Sequence, residues 1–205
     1  GQTHGVVTAD VTNWDRVHAA VRRVHEAAGV PDVLINAAGA AHPAYLHDTT
    51  LEIFRAMMDL NYFGIVHMVK ALAPAMVERG SGYIVNFASM AGFMSVFGYA
   101  AYAPSKYAVR GLSDSLRLEL KPAGVRVSIV FPPDTDTPGM EVENRTKPYE
   151  TLEAFSSKLV PAGDVARSVL RGMKRGRYVI LPGGEASLYY RLVFWLGDAI
   201  YPVMD

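Results

Sequence analysis

The sequence predicts a three-layer α/β domain whose helices cover both faces of a doubly wound parallel sheet. Three observations support this. Short apolar runs at Val6 to Val11, Val33-Leu34-Ile35, Tyr83 to Ala88, Val125 to Phe131 and Tyr178 to Leu181 have the length and bounds of buried strands. Segments with apolar residues at helical spacing separate them, and a strand–helix–strand crossover of that length joins parallel strands. Small residues at Asn36-Ala37-Ala38-Gly39 follow the second run, which lets a flat ligand approach the backbone beyond a strand's carboxyl end.

Taken in order, Val6 to Val11 reads as a short buried strand that runs into Asp10. Thr12 and Asp15 form a capping-box pattern ahead of Trp14, Val17, Val21 and Val24, and Gly29 with Pro31 stops that helix. Thr49 and Glu52 open the next, with Leu51, Ile53, Phe54, Met57 and Leu60 on its apolar side. The apolar pattern continues past Asn61 through Val66, Val69, Leu72 and Met76. An amide inside so apolar a helix needs hydrogen-bond partners if buried, whether its role is structural or part of a site. Gly124 leads into the Val125 run, and Pro132-Pro133 ends it because proline cannot continue a central ladder.

Residues 134–161 read as an irregular stretch, longer than most loops in compact domains, and are expected to cover a substrate as a mobile lid. Pro161 to Asp164 start a helix with Val165, Val169, Leu170 and Met173. The tail, residues 186–205, carries Leu188, Leu192, Trp195, Leu196, Ala199 and Ile200 at helical spacing, interrupted by Arg191 and Asp198. It is too short and too charged for a membrane span. Its apolar face suits packing on the core or a second subunit, or contact with a bilayer surface.

The whole chain, residues 1–205, reads as one domain. Its 20 Lys and Arg balance 20 Asp and Glu, so charge gives no case for binding nucleic acid. Zero cysteines exclude disulfides, thiolate metal ligands and a cysteine nucleophile within it. The start has neither the basic nor the long apolar region of a signal peptide, and a cytoplasmic location is expected. His42, His47 and His67 lack metal-ligand spacing, and Asp134 and Asp136 read as solvated or capping carboxylates, so no metal site is expected.

The chemistry concentrates at residues 89–106. Tyr102 and Lys106, four apart at the head of a helix with Val109, Leu112, Leu116 and Leu120, share one face. A nearby ammonium favours the phenolate, so the pair is expected to pull the tyrosine below its ordinary value near ~10, as a proton donor to a carbonyl oxygen requires. Ser89, leaving the Tyr83 run thirteen residues before Tyr102, can hydrogen-bond the same oxygen. Taken alone, the pair also fits an exposed helix surface.

Together with Asn36 to Gly39, and Asn61 within Leu60-Asn61-Tyr62-Phe63-Gly64, these residues make the chain resemble the short-chain dehydrogenase/reductase family over nearly its whole length. The resemblance implies a Rossmann-like fold and a catalytic set of Ser89, Tyr102, Lys106 and Asn61. Tyr102 is the general acid/base, Ser89 orients the carbonyl, Lys106 lowers the Tyr102 pKa and holds the nicotinamide ribose, and Asn61 anchors a proton-relay water. It places Asp10 and Val11 near the adenine, and Asn36, Ala37, Ala38 and Gly39 along the cofactor. It adds Pro132, Thr135 and Thr137 near the nicotinamide, with Pro133 standing where the family usually has glycine. A homodimer or homotetramer is implied as well. Pro132 to Gly139, followed by Glu143 to Pro148 and Glu150-Thr151, resembles a lipid-metabolising branch, which implies NADP(H) and a long-chain 3-keto amino alcohol. A steroid, a 3-ketoacyl thioester or another apolar ketone is the alternative substrate, and a non-catalytic cofactor-binding scaffold the alternative role. The family's opening strands and Gly-rich phosphate turn are expected to be absent from this chain, since no segment of it supplies that turn.

Overall fold

A computed structural model describes residues 4–154 and 159–200. Helix α1 (Trp14–Ala28) precedes strand β1 (Val33–Asn36). Helices α2 (Leu51–Met58) and α3 (Gly64–Arg79) follow, joined by a π-helical turn at Asp59–Phe63. Strand β2 (Gly82–Phe87) leads to α4 (Tyr102–Leu120) and β3 (Val125–Val130). Next come a short β4 (Thr135–Asp136), helices α5 (Pro138–Asn144) and α6 (Tyr149–Ala154), and β5 (Val160–Pro161). Helix α7 (Ala162–Lys174), strand β6 (Val179–Ile180) and helix α8 (Gly184–Leu196) complete the series.

Strands β1, β2, β3 and β6 form one parallel sheet in that order, while β4 and β5 pair separately. The layering follows from the two-residue period of a strand. On β2, Ile84 joins Leu34, Val127 and Ile129 against Val17 and Val21 of α1, Ile65 and Val69 of α3 and Val109 of α4. Its neighbours Tyr83 and Val85 point the other way and meet Val165 and Val169 of α7 with Val130 and Ile180. Helices on both faces of a parallel sheet are the doubly wound architecture expected from the sequence. On the α7 face of β1, Val33 and Ile35 stay 41% and 48% exposed.

Glycine is required where α3 and α4 hand over to strands. Gly124 adopts φ +76°, and a Cβ there would lie 2.2 Å from the carbonyl oxygen of Gly80. The turn before β3 thus packs directly on the turn before β2.

Several expected elements are corrected. Residues Val6 to Val11 form no strand: Val6 is 91% exposed, and no ladder pairs this run among the described residues. An apolar run becomes a strand only when an edge takes its N–H and C=O groups. The Thr12–Asp15 capping box is absent, because Thr12 donates from both its backbone N and its hydroxyl to Asp10 Oδ1, at 2.9 and 2.8 Å. Asn13 caps α1 instead, accepting from Arg16 N at 3.0 Å. Thr49 likewise does not cap α2; its hydroxyl donates to Tyr45 O at 2.8 Å, and Thr50 holds the N-cap position.

Among its described residues the stretch 134–161 is not irregular, since β4, α5, α6 and β5 lie within it. The β4–β5 ladder ties its two ends together through Thr135 with Val160 and Asp136 with Pro161. In the tail, helix α8 and a short turn over 197–200 realise the helical spacing; residues 201–205 and the Asp198 side chain lie outside the described residues. Among the described residues, Leu51–Arg79 is long and apolar enough to cross a membrane by length and composition. In the fold its Ile65, Val69, Leu72 and Met76 belong to the core.

Candidate active site

The carboxyl ends of three parallel strands converge on one cavity of about 340 Å³. The end of β1 supplies Ala37, Gly39 and Ala40, the end of β2 supplies Ser89, and the end of β3 supplies Pro132, Thr135 and Thr137. The first turn of α4 adds Tyr102 and Lys106 to the same wall. Ser89 Oγ accepts from Ala91 N at 3.2 Å and caps the 3-10 turn Met90–Gly92, and Met90 N donates to Pro132 O at 3.2 Å. These bonds fix the loop after β2 against the loop after β3.

Lys106 is 5% exposed, with its Nζ 5.5 Å from the centroid of the Tyr102 ring and donating to Phe87 O at 3.3 Å. Burial lowers its pKa to about 8. Burial pushes the Tyr102 phenol well above its ordinary value; the Ser89 hydroxyl, hydrogen-bonded to it, acts in the opposite sense, and the Glu143 and Asp134 carboxylates add to the rise. The expected lowering by Lys106 is therefore corrected. Lost hydration disfavours the phenolate, two carboxylates add to that, and the ammonium is turned toward Phe87 O.

Asn61 sits in the π-helical turn, 0% exposed. Its Oδ1 accepts from Ala40 N at 3.1 Å, and its Nδ2 donates to Ala40 O and to Ser105 Oγ, each at 3.0 Å. The amide thus brackets the turn after β1 and ties it to α4, behind the cavity wall. Gly39 makes the bracket possible, since a Cβ there would come 2.7 Å from Asn61 Oδ1 and 3.4 Å from Lys106 Nζ. Asn36, buried, donates to Asn86 Oδ1 at 2.9 Å, and Asn86 donates to Ser113 Oγ at 3.0 Å, a polar chain beneath the site. Neither Asn36 nor Ala38 lines the cavity. Asp10 and Val11 lie apart from it as well; Asp10 is held below the usual carboxylate range by its hydrogen bonds from the Thr12 backbone and hydroxyl. Among the described residues no group of His, Cys, Asp and Glu is placed to hold a metal ion.

Sequence reasoning expected residues 134–161 to cover a substrate but named no contacts for the residues that close the cavity from α5 and α6. The Tyr99 hydroxyl donates to Glu143 Oε1 at 2.5 Å, and Lys147 Nζ lies 3.4 Å from the same oxygen. Thr151 Oγ1 donates to Phe97 O at 3.0 Å, and the Tyr45 hydroxyl donates to Glu150 at 2.8 Å. The bonds to Tyr99 and Phe97 clasp the segment to the loop between Ser89 and Tyr102, and the bond from Tyr45 ties it to the stretch after β1. Glu143 and Lys147, four apart, were the available signal, but the partner of that pair, Tyr99, is 44 residues away.

The residues present fit the ribose end of a nicotinamide cofactor. Lys106 carries three donors, and among the described residues one acceptor, Phe87 O, meets them, so a vicinal diol at the cavity suits the others. Gly39 keeps the neighbouring wall flat.

The site is thus a serine, a tyrosine and a lysine brought together at the carboxyl edge of a parallel sheet. Residues 1–148 match the family model of short chain dehydrogenases, and the chain belongs to that family. It is 42% identical over 180 residues to a 3-ketodihydrosphingosine reductase of Dictyostelium discoideum, covering 85% of this chain and 54% of that protein. It is 37% identical over 174 residues to a 3-dehydrosphinganine reductase of Danio rerio, covering 84% and 52%. The chain spans about half the length of these curated relatives. A short chain dehydrogenase from Burkholderia cenocepacia J2315, solved in complex with NADP, superposes with a TM-score of 0.81 at 26% identity, over 97% of this chain and 77% of that one.

Proposed function

We infer that the chain carries the reaction end of an NADP-dependent reductase that converts 3-ketodihydrosphingosine to dihydrosphingosine. The carrying observation is the cavity in which Ser89, Tyr102 and Lys106 meet, in a chain 42% identical to a reductase of that name. In this reading the Ser89 and Tyr102 hydroxyls hold the ketone oxygen. Tyr102, kept protonated by burial, delivers its proton to that oxygen as the bond order falls. Lys106 holds the ribose hydroxyls and, as a buried cation, stabilises the phenolate left behind. A bound reduced nicotinamide supplies the hydride to the ketone carbon. Asn61, with its amide bound to Ala40 and Ser105, is assigned to positioning the cofactor-side turn.

The lid role of residues 134–161 belongs to the same reading and is supported by Thr137, Met140 and Glu143 lining the cavity. So do contact with the cytoplasmic face of a membrane and pairing into a homodimer or homotetramer. Helix α8 supports an apolar contact of either kind, with Leu188, Phe194 and Trp195 exposed, Trp195 by 82%.

The test is NADPH consumption by the full-length protein with 3-ketodihydrosphingosine in mixed micelles against a short 3-ketoacyl thioester. Turnover with the sphingoid ketone alone is expected. Turnover with the thioester alone overturns the substrate reading.

A further inference from the structure

Proton delivery to a ketone leaves one feature of the cavity unused. Glu143 reaches over the loop before α4, and both the Tyr99 hydroxyl and the Lys147 ammonium meet its Oε1, so that Oε2 carries neither bond. The Glu143 side chain is only 16% exposed, in the cavity that holds Tyr102 and Ser89. Asp134 and Glu185 also line this cavity, so three carboxylates face the two ammonium groups of Lys106 and Lys147. The balance is anionic. Glu143 and Asp134 lie close enough to Tyr102 to oppose its ionisation.

That arrangement opposes the phenolate that Lys106 stabilises as Tyr102 donates, and a positive charge arriving with the substrate offsets the opposition. A ketone with a protonated amine on the adjacent carbon brings one. Its ammonium lies one carbon from the group Tyr102 serves, in the cavity that Glu143 lines. We propose that Glu143 recognises the substrate's ammonium group, so that the site selects long-chain ketones carrying an amine beside the carbonyl over neutral or anionic ketones. The proposal rests on the reading of this cavity as a ketone-reducing site. Tyr99 and Lys147 act as positioning residues, holding one carboxylate oxygen so that the other faces the ligand. A charge-assisted hydrogen bond made away from water is stronger than a neutral one, and its loss is costly. The same carboxylates repel a ketone carried on an anionic thioester.

The test compares three ketones of equal chain length in mixed micelles: 3-ketodihydrosphingosine, its N-acetyl derivative, and the ketone lacking the amine. NADPH consumption gives kcat/KM for the full-length wild type, Glu143→Gln and Glu143→Asp. The wild type is expected to prefer the free amine by about ten- to hundredfold. Glu143→Gln collapses that ratio toward one, and Glu143→Asp, which keeps the charge, restores part of it. A variant that had merely lost packing would lower all three rates and keep the ratio, and that result overturns the proposal. Equal wild-type rates with and without the amine also overturn it, while leaving the reductase reading intact. Failure of the wild type to reduce any of the three overturns both.

Discussion

Lys106 Nζ lies 5.5 Å from the centre of the Tyr102 ring and points its hydrogen bond at Phe87 O, the last residue of β2. One helical turn brings the two side chains into the same cavity, yet the ammonium is bound to a strand end and stripped of water. The pair is therefore under tension from burial on both sides, with the lysine lowered and the tyrosine raised.

Burial of Lys106 makes stability depend on pH. Its folded pKa, about 8, lies below the ordinary value of 10.5, so between these values the unfolded chain binds more protons than the folded one. Stability conferred by this group is absent below the folded pKa and rises with pH through that window. Lys106→Met is expected to raise unfolding stability at neutral pH by on the order of 2 kcal/mol and to flatten the alkaline rise. Urea melts across the window check this; a variant less stable at neutral pH contradicts it.

Asn61 and Gly39 are coupled through a single atom, Oδ1. Asn61→Ala removes the side-chain partner of the Ala40 amide and carbonyl and of Ser105 Oγ and is expected to cost about 1–3 kcal/mol. Gly39→Ala in the native background drives a methyl to 2.7 Å from that oxygen. In the Asn61→Ala background the obstacle is gone, so the double mutant should be more stable than the sum of the singles predicts by about 1 kcal/mol. Strict additivity in denaturant melts would show that the bracket does not set the turn.

The α5–α6 segment is held by identifiable bonds. Removing two of them with Tyr99→Phe and Thr151→Val should speed amide exchange across residues 138–154 by about tenfold while leaving β2 and β3 protected. Unchanged exchange there would mean that packing of Pro148 and Met140, rather than the clasp, holds the segment.

The sheet and the chemistry at its edge were legible because both are local signals. Four of the five apolar runs became the strands of the main sheet, and the four-residue spacing of Tyr102 and Lys106 put both on one face of α4. What was not legible depends on partners far along the chain. Val6 to Val11 has the composition of a strand but pairs with no strand among the described residues. Thr12 was spent on Asp10 and so could not cap α1. The helices within 134–161 are short, and their stabilising bonds run to Phe97 and Tyr99. The rise of the Tyr102 pKa was hidden for the same reason, since burial, its main cause, and the added effect of Glu143 and Asp134 come from packing that sequence spacing does not give.

The most direct test of the account is single-turnover reduction of 3-ketodihydrosphingosine by NADPH-loaded full-length protein, native against Tyr102→Phe. Loss of the proton donor is expected to slow the chemical step by about 10²–10⁴, with NADPH affinity changed little, because Lys106 and the Gly39 wall stay in place. A variant that reduces the ketone at the native rate would contradict the assignment of Tyr102 as the acid.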